Sequence, residues 1–83
     1  MIGVGLMNKE ILTNIGVGSC CRIKELNVNG SMRRRLQDIG LIPGTIVQSL
    51  FKSTGGDPTA FLIRSTVIAI RSEDSNAIIV EHL

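Results

Sequence analysis

The groups in this chain that could do chemistry are two adjacent cysteines, one histidine, two glycine pairs and a run of three arginines. Cys20 and Cys21 lack the C-x₂-C spacing that lets two thiolates close on one metal ion, and on a strand neighbouring side chains point to opposite faces. A disulfide between sequence neighbours is strained, so the pair reads as free thiols of a reducing compartment, Cys21 packed and Cys20 partly exposed. His82 has no cysteine or serine and acid at the spacing of a nucleophile with its base, and reads as a strand-end surface residue. The carboxylates are scattered singly apart from Glu73-Asp74, which sit in a turn. Gly3-Val4-Gly5 and Gly16-Val17-Gly18 each begin like a dinucleotide fingerprint, but Asn8 and Cys21 stand where the third glycine belongs, and no glycine runs into a P-loop lysine. The expectation is therefore no enzyme, no metal site and no cofactor.

Arg33, Arg34 and Arg35 are a different matter. They fall in the first turns of a helix, where each positive charge opposes the macrodipole by about 0.3–1 kcal/mol. Asp38 offsets part of this from i,i+4 to Arg34 and i,i+3 to Arg35, although an acid C-terminal to its base is the poorer orientation. Two readings stand side by side. One is a solvated helix face with one arginine tied into the fold; the other is a cationic surface for an acidic or phosphate-bearing partner.

The elements that must position these groups can be read from periodicity. Ser31 is the expected N-cap of the helix, Met32, Leu36 and Ile39 form its apolar face, and Gly40 ends it. With Gly40 left-handed at C′, Leu36 and Leu41 become the apolar pair of a Schellman cap. Ile42-Pro43-Gly44-Thr45 then reads as a type II turn. Leu12 to Ile15 suits a single helical turn, and Cys20 to Leu26 alternates as a half-buried strand with Cys21 inward. Further short strands are expected at Ile46–Lys52, Thr59–Arg64, Val67–Arg71 and Ala77–His82. The loops between them are Ser53 to Pro58, a tight Ser65-Thr66 turn and Ser72 to Asn76. About five short strands and one helix cannot form a parallel α/β sheet, whose crossovers need a dozen or more residues each. The economical fold is mainly β: a small antiparallel barrel with one short α-helix inserted after the first strand.

Composition bounds the rest. At 83 residues the chain is one domain, with residues 1–7 a flexible N-terminal segment and 8–83 the folded unit. Nine Lys+Arg against seven Asp+Glu leave a net charge of +2, and there are two Phe, no Trp and no Tyr. Nucleic-acid binding is not expected from so little charge and so few stacking platforms. Apolar runs are too short to cross a bilayer, and a cytoplasmic location is expected. The mean hydropathy of +0.30 is high for a small domain, and the apolar surplus at Met1 to Met7 is the feature that favours self-association.

The run from Met32 to Thr45 resembles the R-R-L-x-D-x-G-L-x-P-G-T signature of the FeoA family, the ferrous-iron transport protein A proteins. Gly56-Asp57-Pro58 resembles the family's G-D-P hairpin. Ile63-Arg64-Ser65 through Ile68-Ala69-Ile70-Arg71 resembles its R-G-x-x-L-A-L-R strand pair, with Ser65 in the place of glycine. Leu12-Thr13-Asn14-Ile15 with Gly18 resembles its L-x-x-L-x-x-G entry. The resemblance spans Leu12 to Glu81 and implies an SH3-like β-barrel and a small cytoplasmic accessory of the FeoB ferrous-iron permease, touching the membrane only through that partner. It does not by itself place iron on this chain. Pro-rich peptide binding does not follow, since that mode uses an aromatic-lined groove. With this resemblance, Arg33, Arg34, Leu41, Ile42 and Thr45 are the expected partner-binding residues, and Arg35 is expected to be tied into the barrel. The alternative function is a stand-alone metal-responsive regulatory domain, like the SH3-like C-terminal domain of iron-dependent repressors.

Overall fold

Ladder order shows how the chain is built. In a computed structural model that describes residues 9–83, six antiparallel strands form one sheet. These are β1 (Lys9–Ile11), β2 (Cys20–Leu26), β3 (Ile46–Lys52), β4 (Thr59–Ile63), β5 (Thr66–Ile70) and β6 (Ile78–His82). Their spatial order is β1-β6-β2-β3-β4-β5. Helix α1 spans Gly30–Asp38, a short α2 spans Ser72–Ser75, and a 3₁₀ turn covers Leu12–Asn14. The expectation of a flexible segment over 1–7, and of self-association through it, lies outside the described residues.

The mainly β, antiparallel reading holds, with three corrections. The three-residue β1 precedes the strand expected to be first, so α1 follows the second strand. Ser72–Ser75, expected as loop, is helical because the Arg71 carbonyl accepts the N–H groups of Asp74 and Ser75 at 2.9 Å each. The self-closing barrel is not observed: among the described residues β1 pairs with β6 and β5 with β4, and the ladder ends there.

Alternation explains the burial. In β2, Cys21, Ile23 and Leu26 are buried while Cys20, Arg22 and Lys24 face solvent, and the inner faces of β3, β4 and β6 add Val47, Phe61, Ile63, Ile78 and Val80. Leu12, expected in a helical turn, is fully buried at the 3₁₀ turn. Thr13 Oγ1 hydrogen-bonds Ser75 Oγ and Asn76 Oδ1 at 2.5 Å each, joining that turn to α2. Asp57 accepts from the Ser72 N–H at 2.8 Å and from its hydroxyl at 3.3 Å, tying the β3–β4 loop to the start of α2.

The β4–β5 loop shifts by one residue from its expected place. Arg64 and Ser65 both have positive φ, 49° and 70°, and Ile63 faces Thr66 across the ladder. This is the two-residue primed turn whose twist suits a hairpin. Ser65 thus adopts a left-handed conformation without being glycine.

Candidate functional site

Helix α1 starts at Gly30 with Asn29 as N-cap rather than Ser31, because the Asn29 carbonyl already accepts the Arg33 N–H at 3.4 Å. Its apolar face is the expected one: Leu36 is buried, and Met32 and Ile39 are partly buried against the core. The helix ends as a Schellman cap. Leu41 N–H donates to Leu36 O at 2.9 Å and Gly40 N–H to Gln37 O at 3.0 Å, with Gly40 at φ 97°. Thr45 N–H then donates to Ile42 O at 3.0 Å, and Gly44 holds φ 97°, closing the type II turn.

The five expected partner-binding residues separate on this frame. Leu41 is 0% exposed and belongs to the core. Thr45 is 9% exposed, and its hydroxyl donates to Gly40 O at 2.7 Å, holding the helix exit. Neither side chain is offered to a partner. Arg33 is exposed, but its guanidinium donates to the Leu26 carbonyl, so Arg33, not Arg35, is the arginine tied to the sheet. Arg34 and Ile42 remain at the surface, Ile42 at 39% exposure. Among the described residues the ion pairs are Arg22–Glu81 at 2.9 Å and Lys24–Glu81 at 3.6 Å; Asp38 pairs with neither Arg34 nor Arg35. The Arg22 hydrogen bond holds the Glu81 carboxyl below its ordinary range, with Lys24 adding to it.

Two arginines that sequence reasoning did not single out shape the surroundings. Arg64 lies across Gly40, so that a Cβ there would stand 2.6 Å from Arg64 Cδ and 2.9 Å from Nε. Its cation thereby sits beside the negative end of the α1 dipole. Arg71, with Arg35, borders a groove of about 330 Å³ between α1 and β5. The signal for both was the arginine at each end of β5, visible only once that strand is known to be an edge.

The thiols behave as their burial dictates. Cys20 is exposed and Cys21 buried, both free, and burial pushes the Cys21 thiol up to about 11. Among the described residues no group of three or more His, Cys, Asp or Glu side chains is placed to hold a metal ion.

The FeoA domain description matches residues 11–82, nearly the whole described chain. This chain belongs to the FeoA family. That family is linked to iron uptake, and the match contains every residue of the helix, cap and turn just described. A FeoA protein from Chlorobium tepidum has a TM-score of 0.86 at 24% identity, over 89% of this chain and 70% of that one. A Stenotrophomonas maltophilia FeoA, solved with zinc and described as a prokaryotic SH3 domain protein, has 0.75 at 22%, over 84% and 87%. T. acidophilum IdeR has 0.77 at 24%, over 90% of this chain and 34% of that one. At such identities these likenesses establish an SH3-like fold for this FeoA chain, shared with a segment of IdeR. No curated protein matches it in sequence. No helix among its described residues is long and apolar enough to cross a membrane.

Proposed function

We propose that this FeoA-family chain is a cytoplasmic accessory of ferrous-iron uptake that works as a protein-binding module on the cytoplasmic part of a FeoB-type permease and performs no reaction of its own. The observation that carries this reading is Arg34: an exposed cation midway along α1 with no ion-pair partner among the described residues, available to an acidic group of a partner. Ile42, in the turn just beyond the helix cap, is an exposed apolar residue available to add an apolar contact. Burial removes Leu41 and Thr45 from that surface, and the Leu26 carbonyl occupies Arg33.

Co-purification with the full permease tests it. Retention of the wild-type chain, and its loss for Arg34→Glu while Leu83→Ala is retained, is the expected result. Equal retention of Arg34→Glu would remove this surface, and no retention of the wild type would remove the partner. The second reading, a metal-responsive regulator, draws on the fold shared with IdeR; metal-dependent association with a DNA-binding protein in place of the permease would favour it.

A further inference from the structure

The sheet has two edges, and they are unlike. At β1 the described part of the edge, Lys9–Ile11, carries Lys9 and Glu10. The Glu10 carboxylate is itself engaged by the Ile11 N–H at 3.1 Å and Asn14 Nδ2 at 3.0 Å. Charged edges resist pairing. At β5 the edge is five residues, Thr66-Val67-Ile68-Ala69-Ile70, with no charge and no proline.

Register shows which β5 groups are free. A two-residue primed turn makes its flanking pair, Ile63 and Thr66, a hydrogen-bonded one, and such pairs then alternate. Phe61/Ile68 and Thr59/Ile70 are therefore bonded pairs, and the N–H and C=O of Val67 and Ala69 point off the sheet. No other backbone group of the described residues takes them up.

That free edge is one wall of the α1–β5 groove. Met32, Leu36, Ile39 and Ile68 supply apolar lining; Arg35, Arg71 and Asp74 are its charged groups. Neither arginine is ion-paired among the described residues, and residues 1–8 contain no acid that could reach them.

We infer that this groove takes an extended, acidic and apolar segment of another protein, which adds as a strand to β5 and sets a carboxylate on Arg35 and Arg71. The ladder bonds come from Val67 and Ala69, the side-chain contacts from the α1 face, and the charge preference from the two guanidiniums, whose excess over Asp74 leaves the groove cationic. A second copy of the chain is a poor occupant. Its β5 carries no carboxylate and is flanked by Arg64 and Arg71, so edge-to-edge pairing gathers like charges. This site lies apart from Arg34 and does not require the permease to be the partner.

The test uses the full chain and a labelled octapeptide of alternating Val and Glu. Its binding is expected to shift the Val67 and Ala69 amide resonances. Replacing Glu by Lys, N-methylating every peptide amide, or introducing Arg71→Gln should each weaken it by about tenfold or more at low salt. Ala69→Pro should fold, since its N–H is unused in the ladder, yet lose the peptide. Equal binding of the Lys or N-methylated peptide, unshifted Val67 and Ala69 amides, or a homodimer that buries β5 would overturn the inference. Each of these outcomes leaves the permease co-purification result standing by itself.

Discussion

The corner made by α1 and its exit turn, and the β5 edge that α1 faces across a groove, are built on opposite terms. The corner is dense with internal bonds: the Leu36–Leu41 cap, the Thr45 hydroxyl on Gly40 O and the Arg33 guanidinium on the Leu26 carbonyl. Among the described residues the edge keeps backbone groups unpaired at Val67 and Ala69. The proposed binding surfaces are what the fold leaves unsatisfied, and the conspicuous Met32–Thr45 motif is largely consumed in making the corner.

If the corner is structural, its core member should matter most. Leu41→Ala removes a fully buried side chain and should cost about 2–5 kcal/mol in denaturant unfolding; a change confined to partner binding would break the comparison. Gly40→Ala should follow, at about 1–2 kcal/mol for the left-handed backbone. The Arg64 clash adds to that cost. Arg64→Ala in the same chain should recover part of the loss, and strict additivity of the two substitutions would show that the close approach is unimportant.

The buried thiol gives a pH test of the same interior. Cys21 titrates near 11 when folded against 9.0 as its ordinary value. The folded state thus holds its proton more tightly, and the stability this contributes is complete below pH 9 and is lost as pH rises from about 9 to 11. Cys21→Ala should flatten that part of the curve, and an unchanged slope would contradict the assignment.

Smallest of all should be Ala69→Lys at the edge. It should change unfolding free energy by less than about 0.5 kcal/mol and leave binding of the acidic segment at β5 in place, since the backbone groups stay free and a cation is added; a large stability loss would mean that the edge is covered.

Legibility in the sequence followed the same division. The helix, its Schellman cap, the type II turn, and the bounds of β2 and β3 were readable because Gly40, Gly44 and the periodic apolar residues each satisfy a local rule. The hairpin turn was misplaced by one residue because Arg64 and Ser65 take positive φ without glycine. Strand β1 is not legible because its described residues, Lys9–Ile11, carry too little alternation, and whether the terminal strands pair with each other is a long-range matter that local patterning does not carry. At the site, the sequence could mark Arg34 and Ile42 but could not separate them from Leu41 and Thr45, since a motif position looks the same whether it is buried or exposed. Arg33 and Arg35 exchanged roles because which arginine reaches a carbonyl depends on how α1 is rotated against β2.

The central claim is that this chain acts by binding through its surface. The most direct measurement is a titration of the isotope-labelled full chain with the cytoplasmic region of the permease, following backbone amides. Binding should give saturable shifts concentrated on Arg34 and Ile42, abolished by Arg34→Glu. Unperturbed spectra at saturating permease, or shifts unaffected by Arg34→Glu, would contradict it.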